Sequence, residues 1–186
     1  MIDEIKKAVE VLKNGGIILY PTDTIWGLGC DATNPEAVEK IYKIKNRSET
    51  KSMIILLNNE NFISRYVEQV PEVAYNLIEV TDKPLTIIYP EAKNLAENLI
   101  ADDKSIAIRI TNEEFSSRLL DYFRKPLVST SANISGKQSP QNFYEISEQI
   151  KNSVDYIIDY NRNYEKKQPS SIIKLGLTGE IDIIRK

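Results

Sequence analysis

The chain of 186 residues contains no histidine. That absence excludes Ser–His–Asp and Cys–His nucleophilic triads and every His-ligated metal, and it leaves no side chain whose ordinary pKa lies near neutrality. A single cysteine, Cys30, excludes an internal disulfide and a Cys-based zinc site. No apolar run approaches the roughly 18 residues of a membrane span, and the opening MIDEIKKAVEVLK reads as an amphipathic helix, not a leader. The expected location is therefore cytoplasmic, with no membrane partner. A net charge of −3 argues against a broad electrostatic nucleic-acid footprint, though a local basic site stays open. Any chemistry has to rest on positioning and charge, with Mg2+ as the available metal.

What is present is ordinary for a globular chain: 41% apolar and 27% charged residues, in a length that predicts a single domain over 1–186. Ile5, Ala8, Val9 and Leu12 form a helical stripe closed by Gly15-Gly16. A second helix is expected over NPEAVEKIYKIK, with Asn34 as cap and Pro35 at the first position. Two more are expected over PEVAYNLIEV and EEFSSRLLDYF. Strands are expected at IILY (17–20), MIILL (53–57), LTIIY (85–89), SIAIRI (105–110), LVS (127–129), DYIIDY (155–160), SSIIKL (170–175) and IDIIRK (181–186). Strands alternate with helices early and dominate late, which predicts an α/β fold with a mixed parallel and antiparallel sheet. The polar stretch NRNYEKKQP (161–169) is expected to be a loop.

Several stretches carry chemistry. YPTDTIWGLGCDA (20–32) follows the first strand as a polar, glycine-bearing loop with Thr22, Asp23 and Thr24, where α/β proteins place ligands. Within it, Gly27-x-Gly29-x-x-Ala32 matches a dinucleotide-binding pattern, but too far from the strand end for the glycine to form the tight turn. KIKNRSETK (43–51) clusters Lys45, Arg47 and Lys51, suited to polyphosphate or simply to a helix C-terminus. Arg109 sits inside an apolar strand and must be paired, either to a ligand anion or to a structural carboxylate. LVSTSANISGK (127–137) crowds Ser129, Thr130, Ser131, Asn133 and Ser135 into what reads as one hydroxyl-lined bend, an anion-binding concavity. Ser48-Glu-Thr-Lys51 with Ser131-Ala-Asn133 loosely echoes penicillin-recognising enzymes, but leads into a strand where a buried helix should open.

Together these segments resemble the YrdC-type threonylcarbamoyl-AMP synthase family. YPTDTIWGLGCDA resembles its Y-P-T-[DE]-T-x-Y-G-L signature, KNRSETK its K-x-R-x-x-x-K segment, and KPLTIIY its P-x-T strand. SIAIRI resembles its Arg-bearing strand, STSANISG its S-x-S-A-N-x-S-G loop, and QPSSII its P-S-T strand, all in the family's order across residues 20–173. Ser52 and Thr111 stand where the family usually has Pro, and Leu56 where some members have His.

The resemblance implies an open cavity on a twisted mixed sheet and a short, single-domain form. It implies synthesis of threonylcarbamoyl-AMP from L-threonine, bicarbonate and ATP, with release of pyrophosphate. That product serves tRNA threonylcarbamoyladenosine (t6A) modification, with tRNA and the threonylcarbamoyl-transferase proteins as further partners. By the same resemblance Thr24, Arg109, Ser129 and Ser170 contact threonine, Arg109 through its carboxylate. Lys45, Arg47, Lys51, Ser105, Ser131, Asn133, Ser139 and Arg185 hold the nucleotide. ATP is the energy-bearing substrate, Mg2+ travels with it, no dedicated metal site is implied, and no residue is expected to act as a general base. The other class left open is a non-catalytic relative that binds nucleotide or RNA through the same cavity.

Overall fold

The computed structural model describes residues 1–46, 53–163 and 169–186. Arg47 and Lys51 of the basic segment lie outside the described residues, as do residues 164–168.

The first helix, α1 (Ile2–Lys13), buries the predicted stripe of Ile5, Ala8, Val9 and Leu12. Gly15 follows with φ of 71°, a left-handed conformation that suits glycine and turns the chain into β1 (Ile18–Tyr20). In α2 (Pro35–Lys45), the Asn34 side chain accepts from the Glu36 and Ala37 amides at 3.0 and 3.2 Å, and Pro35 opens the helix as expected. The helices α3 (Glu72–Val80), α4 (Glu114–Phe123) and the short α5 (Glu148–Lys151) complete the set.

Among the described residues the remaining strands are β2 (Gly27–Gly29), β3 (Ile54–Leu57), β4 (Leu85–Tyr89), β5 (Ile106–Ile110), β6 (Leu127–Ser131), β7 (Tyr156–Ile157), β8 (Ser171–Leu175) and β9 (Ile181–Arg185). They form one mixed sheet in the order β7-β1-β2-β6-β3-β5-β4-β8-β9. β3–β5, β4–β8 and β1–β7 run parallel, and the other neighbours antiparallel.

Three expectations need correction. Gly27–Gly29 is a strand, not part of a loop, and it lies between β1 and β6. Its glycines are required by neighbours: a Cβ on Gly29 would stand 2.8 Å from the Tyr20 ring and 3.1 Å from the Val128 carbonyl oxygen. The hydroxyl-rich stretch is likewise not one bend. Residues 127–131 are an interior strand, and the turn begins only at Ala132, whose amide donates to the Trp26 carbonyl at 3.0 Å. Turn-type residues hid strands here because tertiary packing, not local propensity, selected the glycines and serines. Of DYIIDY, only Tyr156–Ile157 pairs, along the edge of β1.

The two sheet faces are covered unequally. One face packs Leu28, Ile55, Ile87, Ile106, Ile108 and Val128 beneath α2, α3 and the connecting segments. On the other, α1 and α4 cover Ile18, Tyr20, Leu56 and Leu127. Cross-strand pairing places Arg109 beside Leu56 and Thr86, and Ala107 beside Ile54 and Ile88, on this second face. The helices stop short of that second row: Ile54, Ile88, Ala107 and Ile172 are only half-buried. A sheet face left half bare makes the floor of an open cavity.

Candidate functional site

A cavity of about 190 Å³ opens over this bare face. Its walls come from segments far apart in sequence: Thr22 and Thr24–Gly27, Met53 and Ile54, Arg109, Ser129–Ser131, Ser139, Pro169, Ser170 and Ile172, and Arg185. The loop between β1 and β2 is folded on its own hydroxyls. Thr22 Oγ1 donates to the Ile25 carbonyl at 2.7 Å, accepts from the Thr24 amide at 3.1 Å, and lies 3.1 Å from Thr24 Oγ1. The N-terminal end of α4 braces the same loop, since Ser116 Oγ donates to the Pro21 carbonyl at 3.3 Å. Trp26 forms an apolar wall and packs at 5.0 Å on Phe143.

Arg109 has a partner within the chain. Its Nη2 donates to Asp23 Oδ1 at 2.7 Å, with the arginine side chain 4% exposed and the aspartate 13%. The Arg109 Nε is buried with no hydrogen-bond partner. Arg185 lies near enough for its charge to be felt. Burial first, and the Arg109 charge second, pull Arg185 below the ordinary arginine value. Its Nε and Nη2 donate to the Ser170 carbonyl at 2.9 and 2.7 Å. The Ser170 hydroxyl sits 2.8 Å from Thr86 Oγ1, which is fully buried. Burial pushes the phenol of Tyr20 up, so it stays neutral behind Ser129. Two guanidiniums held by one carboxylate and one carbonyl give a cavity that favours an added anion.

The structure brings Thr24, Arg109, Ser129, Ser131, Ser139, Ser170 and Arg185 together on one cavity. It does not do so for Lys45, which is 1% exposed at the end of α2. The Lys45 ammonium donates to the carbonyls of Ser131 at 2.5 Å and Asn133 at 2.7 Å, so it holds the loop after β6 and does not line the cavity. Asn133 also serves that loop: its Nδ2 donates to the carbonyls of Ile134 at 3.1 Å and Lys137 at 2.6 Å. Ser105 does not line the cavity either, because its hydroxyl donates to Asp103 Oδ1 at 2.5 Å. It shares the face of Arg109 through Ala107, about 13 Å away along β5. Leu56 is fully buried core beneath α1 and α4, which explains why no polar residue is needed there.

Sequence reasoning missed Asp23 as the partner of Arg109 and Thr86 as the partner of Ser170. The signal for Asp23 was present, as the single acid of the cavity loop, but nothing local links it to a strand 86 residues away. Nothing in the sequence singled out Thr86 beyond its place in the P-x-T segment.

The arrangement binds and aligns; the cavity walls hold no imidazole or thiol to act as nucleophile or base. A sequence profile named Sua5_yciO_yrdC, described as telomere recombination, matches residues 10–186. The chain is 34% identical over 180 residues to the threonylcarbamoyl-AMP synthase of Pseudoalteromonas translucida, covering 95% of each chain. In structure it is similar to Escherichia coli YciO, with a TM-score of 0.84 and 27% identity over 98% of this chain and 88% of that one. It is also similar to Pyrococcus abyssi Sua5 complexed with L-threonine, with a TM-score of 0.84 and 27% identity over 92% of this chain. This chain spans 50% of the length of that Sua5 chain.

Proposed function

The chain belongs to the Sua5/YciO/YrdC family, and from that premise we propose that it is a threonylcarbamoyl-AMP synthase. The observation that carries the reading is the convergence of Thr24, Arg109, Ser129, Ser131, Ser139, Ser170 and Arg185 on one half-bare sheet face. L-threonine sits with its carboxylate at Arg109 and its remaining polar groups among Thr24, Ser129 and Ser170. The adenylate lies toward Ser131, Ser139 and Arg185, with Arg47 and Lys51 contributing charge from the basic segment. Lys45 and Asn133 act on the nucleotide by shaping the loop, and Ser105 lies further along the same face, within reach of an elongated ligand.

The chemistry suits this lining. The threonine amine attacks the carbon of bicarbonate-derived CO2 and loses a proton to give a carbamate. The carbamate oxygen, already anionic, attacks the α-phosphorus of ATP, and pyrophosphate leaves. Adenylation needs no base; it needs alignment and neutralisation of charge developing on phosphate, which fixed guanidiniums and hydroxyls supply. Mg2+ enters as part of the ATP substrate. Among the described residues no group of three or more His, Cys, Asp or Glu side chains is placed to hold a metal ion, and Asp23 is engaged by Arg109. The product's use in t6A formation brings tRNA and the transferase proteins into the reading as downstream partners. Among the described residues no helix is long and apolar enough to cross a membrane.

The test is pyrophosphate release from ATP and Mg2+, with L-threonine and bicarbonate each omitted in turn. Release that requires both is expected. ATP binding without such release would replace the synthase by a non-catalytic nucleotide-binding relative.

A further inference from the structure

We propose that Asp23 is a positioning residue for carboxylate recognition: it holds the Arg109 guanidinium through Nη2 and leaves further donors, Nε among them, for the substrate. The inference rests on the reading of Arg109 as the carboxylate site. A guanidinium carries five N–H donors in a planar fork. Asp23 Oδ1 takes one of them, on Nη2, at 2.7 Å. The Nε donor is buried and unpartnered, although the hydroxyls of Thr24, Ser129 and Ser170 line the same cavity. A buried donor without a partner is costly, so a ligand oxygen brought to Nε would relieve that cost.

Asp23 stands in a wall. On its far side is a second cavity of about 310 Å³, lined by Asp23 with Thr81, Lys83, Asn112 and Glu113. Arg109 lines the first cavity, so the ion pair separates the two. Thr81–Lys83 and the β5 exit at Ile110 and Asn112 both border this second cavity. Without the carboxylate, Arg109 could swing toward Glu113 and Asn112 and leave the substrate side. With it, Arg109 is neutralised when empty and still presents a fixed donor edge when the substrate carboxylate arrives. Asp23 therefore supports substrate binding and does not compete with it.

The test measures L-threonine binding by calorimetry together with the KM values for threonine and ATP. The variants are Asp23→Asn, Asp23→Glu, and Asp23→Asn in an Arg109→Gln background. Exchanging the charged bond for a neutral one is expected to weaken threonine binding about tenfold, with the KM for ATP within about twofold of wild type. Asp23→Glu should restore most of the loss, and Asp23→Asn should cost nothing once Arg109 is gone. Tighter threonine binding in Asp23→Asn would show that Asp23 competes, and would overturn the proposal. Equal losses for both substrates, or an undiminished effect in the Arg109→Gln background, would also overturn it, as a general structural role. If Asp23→Asn does not fold, Asp23→Ser takes its place: a tenfold loss of threonine affinity there with ATP unaffected supports positioning, and no change refutes it. Wild-type protein that binds no threonine would overturn the carboxylate reading of Arg109 and this proposal with it; wild-type binding unchanged in Asp23→Asn overturns the proposal alone.

Discussion

Lys45→Met separates a loop-holding lysine from a ligand-contacting one. The side chain is 1% exposed and its ammonium donates to two main-chain carbonyls, Ser131 and Asn133, at 2.5 and 2.7 Å. Methionine keeps the length of the stem and removes both donors. Hydrogen bonds from a charged group are worth about 1.5–3 kcal/mol each, and an abandoned buried carbonyl costs about 1–3 kcal/mol. Against that, the variant no longer pays to bury an ammonium, which offsets part of the loss. A net destabilisation of about 3 kcal/mol follows, equivalent to a fall in Tm of about 6–12 °C for a chain of this size. Thermal denaturation without ligand reads the structural part, and KM for ATP at a permissive temperature reads the loop's contribution to binding. An unchanged Tm with ATP binding abolished would refute the reasoning, because it would mean that Lys45 meets the nucleotide directly.

Gly29→Ala forces a methyl group to 2.8 Å from the Tyr20 ring, so destabilisation of about 1–3 kcal/mol is expected in a urea titration; no change would mean that Tyr20 can move aside. Arg109→Lys keeps a charge for Asp23 but loses the planar fork, so the threonine requirement should rise at least about tenfold while the ATP requirement holds; the reverse would put Arg109 on phosphate. The Asp103 carboxyl is held at about 2, against an ordinary 3.8, by hydrogen bonds from Lys174 first and Ser105 second. Its folded state binds fewer protons than the unfolded state in that window. The contribution is therefore full above about pH 4 and disappears as the pH falls through about 2. Asp103→Asn should flatten that part of the acid-denaturation curve, and an identical acid limb in the variant would remove Asp103 from it. The effect should be small because the side chain is about half exposed.

How much was readable in the sequence followed the range of the forces involved. Periodicity over four residues marked α1, and an Asn-Pro pair marked the start of α2, because helix stripes and caps are local. Apolar runs marked β3, β4 and β5. The absence of histidine directed attention to binding and charge, and the order of the polar motifs pointed to the family. Those features are set by composition and by neighbours along the chain.

The pairing of distant segments was decided only in three dimensions. Gly27–Gly29 became a strand because β1 and β6 close on either side and leave no room for a Cβ. Ser129 and Ser131 were drawn into an interior strand, so their hydroxyls reached the cavity from the sheet and not from a turn. Lys45 looked like a phosphate ligand from its basic neighbours, yet it was turned inward by two carbonyls more than 80 residues away. Arg109 could be seen to need a partner, but the sequence offered many carboxylates. A buried guanidinium takes the acid that the fold delivers to hydrogen-bonding distance, and only the closing of the β1–β2 loop over β5 made that acid Asp23.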